Sequence, residues 1–245
     1  MMDRADEISP RLVARIAGAF YLITIIMGVF AEVFARGAVV VRDDPAATAT
    51  NILAHEPLYR FGLAADLIMM ACYIAVTLLF YVLFKPVGRS LSLLAAFFSL
   101  VGIAVLAVNS LNHLAPLVFL GSAHYLSAFE TTQLQALALM SLKMHARGYS
   151  IAGVFFGFYC LMIGYLVFRS GFLPRILGVL MAIGGLGYLT SSFASFLSPA
   201  LAARLPDVTV LGGLAELSLC LWLMVRGVDA SKWKERASAW QSRGA

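Results

Sequence analysis

The sequence predicts an all-α, polytopic membrane bundle of six transmembrane helices with short interfacial helices on the outer face. Three observations carry that expectation. Hydrophobic residues make up 61% of the 245 and charged residues only 13%, with a mean hydropathy of +0.88; a water-soluble core of this length cannot hide so much apolar side chain. The apolar residues gather into six runs, each long enough to cross a hydrocarbon layer of ~30 Å, which takes about 20 residues. The basic residues sit singly in the breaks between runs and form no stripe, so the net charge of +5 marks topology and excludes a nucleic-acid surface.

The runs fall at about 12–34, 61–84, 90–115, 149–168, 173–196 and 208–226. Residues 1–11 precede them and 227–245 follow, so an even number of spans puts both termini on one side. That face then holds twelve of the 18 lysines and arginines, against six on the other: Arg36, Arg42, Arg60, Lys143, Arg147 and Arg204. Positive charge is retained on the cytoplasmic side during insertion, which places both termini inside. No cleavage signal follows the first run, which reads as a retained span.

The break "RSGFLPR", Arg169 to Arg175, is the tight cytoplasmic turn between spans four and five. Gly171 suits the left-handed conformation that ends a helix, Pro174 the first turn of the next, and the two arginines the phosphate surface. "KPVGR", Lys85 to Arg89, repeats this chemistry between spans two and three. Gly153, Gly157 and Gly164 in span four, and Gly178, Ala182 and Gly185 in span five, give each helix a face of small residues. Such faces let membrane helices approach closely, so spans four and five are expected to pack together, with an oligomer contact as the alternative.

Two longer connections lie outside. Asp44 as cap and Pro45 at the first position predict a short helix near 45–55, ended by Pro57. The segment 116–147 has helical spacing but too short a strictly apolar core for a seventh span, and it is expected at the outer interface. The tail "DASKWKERASAWQSRGA" reads as an amphipathic or frayed cytoplasmic helix offering Trp233 and Trp240 to the lipid surface. Cys72, Cys160 and Cys220 lie in apolar runs without CxxC spacing and read as buried thiols.

Ionisable groups inside spans are costly and are functional candidates by default. Glu32, Asp66 and Glu216 are such groups, joined by Asn109, Asn112 and His113 late in span three and by His145 and Tyr149 at the start of span four. Asp66 lies six residues below Arg60, about 9 Å inward at the helical rise. Glu216 is ten residues from Arg226, near the midplane. Glu32 pairs with Arg36 one turn on. The polar residues belong mainly to the outer half and predict an outward-facing pocket built from Glu32, Arg60, Asp66, Asn109, Asn112, His113, His145, Tyr149 and Glu216. The ligand would be a small molecule, a lipid or an ion. Asp66, His113 and His145 also make a second-choice metal set for a lipid hydrolase, although HExxH is missing. The chain carries no P-loop, GxSxG or dinucleotide fingerprint, and its four histidines have no inner-helix mate for haem; no cofactor is expected. The lipid bilayer is the expected partner, and a second copy or another membrane protein is the open alternative.

The stretches "AEVFARG", "RFGLAADL", "FYVLFKPV" and "GYSIAGVFFGFYCLMIGYLVFRSGFLPRILGVLMAIGGLGYL" resemble the bacterial multipass family catalogued as domain of unknown function 4386, from about Arg11 to Arg226. The resemblance implies a small bacterial inner-membrane protein with a helical bundle and names no activity. It gives Glu32, Arg60, Asp66, His145 and Gly148 more weight than His113 and His124.

Overall fold

The computed structural model describes residues 9–204 and 206–244; most of the expected N-terminal segment 1–11, with Arg4, lies outside them. Among the described residues every regular element is helical. α1 runs Pro10–Val39 and is π-helical over Phe30–Arg36. It is followed by α2 (Pro45–Ala54), α3 (Glu56–Phe84), α4 (Arg89–Phe119), α5 (Thr131–Ser170), α6 (Arg175–Leu197), α7 (Thr209–Val225) and α8 (Ala230–Gly244), with single turns at His124–Ala128 and Pro199–Ala202. Five of these, α1 and α3 to α6, are long and apolar enough to cross a membrane, and α7 becomes a sixth when taken with α8 across a 100° bend. Large apolar side chains such as Leu78 and Val108 are 62% and 69% exposed, which suits a surface whose solvent is lipid. The chain is a multipass membrane protein in contact with the bilayer.

Several boundaries differ from the sequence reading. Pro116 does not start a connection: α4 passes through it to Phe119, because packed membrane helices tolerate a missing N–H that would end a water-exposed helix. Residues 131–147 are not a separate interfacial segment. They are continuous with the fourth span in one 40-residue helix, about 60 Å long at 1.5 Å per residue. Pro57 opens α3 in its first turn and does not close α2, which ends at Ala54. α2 itself matches its signals, with the Asp44 carboxylate accepting from Ala47 N–H at 2.9 Å and Pro45 first in the helix.

The chain divides into two compact units, one of residues 1–23, 72–103 and 152–245 and the other of 24–71 and 104–151. In the first, α5 and α6 meet along the small-residue faces. A Cβ on Gly164 would stand 2.7 Å from the Gly178 carbonyl oxygen, and one on Gly185 would stand 2.7 Å from that of Gly157. A second side of α6, about 100° round the helix, uses glycine as well, Gly184 lying against the Gly212 backbone of α7. Gly171 ends α5 at φ 76°, and Pro174 caps α6, one position ahead of the expected first turn. The tail is docked: Trp233 donates its indole N–H to the Leu83 carbonyl at 2.9 Å, and Arg236 donates to that of Arg169 at 3.0 Å. Trp233 is thus half-buried in protein contacts, not offered to lipid. The three cysteines are free thiols, Cys160 and Cys220 buried and Cys72 half-buried.

In the second unit, Val39, Ile52, Tyr59 and Leu142 form a small apolar core flanked by Leu117 and Leu120. α2 is pinned to the end of α1 by Thr48, whose hydroxyl accepts from Val41 N–H at 3.0 Å and donates to the Val41 carbonyl at 3.1 Å. Beneath this core lie the polar residues.

Candidate functional site

The candidate site forms within the second unit, and Arg36, which the sequence reading counted only as a topology charge paired with Glu32, is its hub. Arg36 lies in the last turn of the π-helical segment of α1. It is buried, as are Asp66, His113 and His145. Its Nε donates to Glu32 Oε2 at 2.9 Å, so the expected one-turn pair exists. The far end of the guanidinium reaches inward, however. Nη1 donates to Asp66 Oδ2 and lies 3.0 Å from His113 Nδ1, and Nη2 approaches both Asp66 Oδ1 and the Tyr149 hydroxyl at 3.4 Å. Tyr149 in turn donates to Asp66 Oδ1 at 3.2 Å. Helical spacing explains why these groups meet: Tyr59, Gly62 and Asp66 stand at i, i+3 and i+7 on one face of α3. A Cβ on Gly62 would meet the Ala35 side chain, so a larger residue there would hold α1 and its arginine away.

The guanidinium carries donors only, so His113 Nδ1 accepts, and the proton of a neutral ring sits on Nε2. That Nε2 is buried and has no hydrogen-bond partner among the described residues. The His113 ring packs against Tyr59, tilted by 58° with the centroids 4.4 Å apart, and meets His145 edge-on at 5.4 Å. The backbones under both histidines are held by side chains. Tyr59 donates to the His113 carbonyl at 2.6 Å, and Asn109 donates to the His145 carbonyl at 2.8 Å while accepting from Asn112 at 3.0 Å. Gly148 is the condition for this last bond, because a Cβ there would overlap the Asn109 amide. Donor atoms of Asp66, His113 and His145 all lie within 4.8 Å of one another.

Of the nine expected residues, Glu32, Asp66, His113, His145 and Tyr149 converge, and Asn109 and Asn112 support them. Arg60 does not join. Six residues before Asp66 it faces another direction on α3 and pairs with Glu56 at 2.6 Å on the surface. Glu216 belongs to the first unit, where its Oε1 accepts from Tyr188 at 3.0 Å and faces the Cys160 thiol at 3.8 Å. Arg36 and Tyr59 were missed. The one signal for Arg36 was its spacing from Glu32, which brings the guanidinium over the same helix face but does not show that the face is inward.

No solved structure matches the chain. A protein of Archaeoglobus fulgidus described as uncharacterized is 26% identical over 159 residues, which cover 65% of this chain and 79% of that protein. The model of a family described as Domain of unknown function (DUF4386) matches residues 16–227, a stretch that contains every residue of the cluster, and the chain therefore belongs to that family.

Proposed function

We propose that this membrane protein binds a small molecule, lipid or ion at the Arg36–Asp66–His113–His145 cluster and works as a transporter, sensor or accessory subunit. The observation that carries the reading is the buried arginine shared between two carboxylates and a histidine. Burying charge in a bundle is costly, and a helix-packing role needs none of it. The cluster sets one guanidinium against two carboxylates, so with neutral imidazoles its excess charge is negative and favours a cation or a polar ligand that donates hydrogen bonds. The setting we propose is the bacterial inner membrane, with both termini cytoplasmic and the cluster on the outer side.

The reading is tested by thermal unfolding of the full chain in detergent against a panel of mono- and divalent cations, amines and phospholipids across a pH series. Wild type should be stabilised by at least one member in a pH-dependent way, and Asp66→Asn should lose that response while staying folded. A full response in the variant would sink the proposal. The gathering of Asp66, His113 and His145 favours a second reading, metal-dependent lipid hydrolysis. Both readings allow a bound metal, so a lipid-cleavage assay of the metal-loaded chain separates the two, and a folded, metal-loaded chain that releases neither fatty acid nor headgroup would exclude the hydrolase.

A further inference from the structure

We propose that Asp66, His113 and His145 bind a first-row divalent cation of the zinc type, and that Arg36 is the internal cation which the metal replaces. This rests on the binding reading above and names its ligand. The three donors lie within 4.8 Å of one another and all three residues are buried. Asp66 Oδ2 and His113 Nδ1 are 3.4 Å apart. Ligands about 2.0–2.1 Å from a tetrahedral zinc stand roughly 3.3–3.4 Å from each other, so these two atoms already have the spacing of a coordination edge. Both are engaged by one nitrogen, Arg36 Nη1, so their lone pairs converge on a point that a positive group now fills. The tautomer the arginine imposes on His113, with the proton on Nε2, is the one a metal on Nδ1 requires.

The surroundings fit the exchange. Tyr149 holds Asp66 by its other oxygen, Oδ1, orienting the carboxylate while leaving Oδ2 to the metal, as outer partners of metal ligands do. Asn109 and Tyr59 fix the backbones beneath the two histidines. Two imidazoles and one carboxylate suit zinc, cobalt or nickel; calcium and magnesium prefer an all-oxygen shell. Arg36 has somewhere to go: its Nε and Nη2 already contact Glu32, whose side chain is 65% exposed. A metal entering at Nη1 would leave the arginine on that outer carboxylate. Net binding is therefore an exchange of one cation for another at Asp66, with the displaced charge still paired, and the three protein ligands leave a fourth position for water or substrate.

The test uses the full chain in detergent, stripped with a chelator and titrated with Co²⁺, then competed with Zn²⁺. One Co²⁺ per chain should bind with the strong visible absorption of four-coordinate cobalt and be displaced by zinc. Asp66→Asn, His113→Gln and His145→Gln should each weaken binding on the order of 100-fold or more, and the exposed His124→Gln should leave it unchanged. The exchange makes two further demands of opposite sign: Arg36→Gln, which removes the competing cation, should tighten binding, and Glu32→Gln, which takes away the arginine's refuge, should weaken it by roughly tenfold. These two variants keep the ligands intact and decide the matter if a histidine variant fails to fold. Absence of binding in both wild type and Arg36→Gln, or unchanged binding in Asp66→Asn, overturns the metal site. A reversed order of the Arg36 and Glu32 variants overturns the exchange. If no divalent ion binds but another compound stabilises wild type and not Asp66→Asn, the binding reading stands and only the metal assignment falls.

Discussion

At the residue scale, Arg36 and Asp66 are partners with unequal alternatives. Asp66→Asn leaves the guanidinium bonded to Glu32, whereas Arg36→Met strands a carboxylate in the interior with only neutral neighbours, the Tyr149 hydroxyl and the His113 ring, to satisfy it. Breaking a buried ion pair from one side costs about 3–5 kcal/mol, so Arg36→Met should fall in that range and Asp66→Asn below it, as measured by reversible unfolding in mixed micelles. Equal costs would mean that Glu32 does not hold the arginine. The same asymmetry explains what was legible. Asp66 and the histidines stand out because a polar letter inside an apolar run has few bland explanations. Arg36 lies at the edge of a run with an acidic residue four before it, the pattern of an ordinary surface pair, and nothing in one dimension shows that its outer nitrogens turn inward. Arg60 enters the expected site for its nearness to Asp66 in sequence and its place in a family-like stretch; six steps of about 100° carry it away from the Asp66 face, and that exclusion was available from the spacing.

At the element scale, close approach rests on glycines that work as contacts. Gly164→Val would drive a side chain into the Gly178 carbonyl and the Ala182 backbone, and overpacking of this kind costs about 1–3 kcal/mol; the loss should appear as a lower unfolding midpoint. Gly148→Ala should displace the Asn109 amide from the His145 carbonyl and weaken ligand or metal response more than it weakens the fold. The start of α8 gives a pH test. Asp229 accepts from the Ser231 hydroxyl at 2.6 Å and from the backbone N–H of Lys232 at 3.3 Å, and these bonds, the hydroxyl first, hold its pKa below the ordinary aspartate value. A depressed carboxyl pKa contributes stability that is present above the unfolded value and lost as pH falls through the folded one. Docking of the tail, followed by Trp233 fluorescence, should therefore be unchanged at neutral pH and loosen only below the usual aspartate range; loosening on the alkaline side would contradict it. Helix identity and the two tight turns were readable because length, glycine and proline signals agree. Continuity through Pro116 and Gly148 was not, because both residues mark breaks in water and are accommodated here by neighbouring helices.

At the scale of the whole molecule, the proposed orientation rests on the twofold excess of basic residues expected on the face that would carry both termini. In a chain freed of its native cysteines, an impermeant thiol reagent added from outside should label Asp43→Cys or Arg204→Cys and miss Gly171→Cys; labelling at 171 would invert the topology. Five spans were legible from apolar length alone, whereas the sixth, expected at 208–226, reaches span length only when α7 is taken with α8 across their bend. The division of polar groups was not, because Asp66 and Glu216 share the same signature in sequence, and only the fold assigns one to an arginine and the other to a tyrosine and a thiol. The π-helical turn at Phe30–Arg36 carries a consequence for heredity. A π turn holds one residue more than an α turn, so it is equivalent to a single codon inserted into an ordinary helix. Phe34 is 60% exposed and its replacement by leucine should be silent. Deletion of the same codon would let the turn relax to α-helix, and because the lost residue and the tighter winding offset each other, Arg36 would keep its direction toward Asp66. An allele that lacks the codon would thus keep its ligand response, and a relative with a one-residue gap between positions 30 and 35 would be expected to carry its inward cation at the position aligned with Arg36.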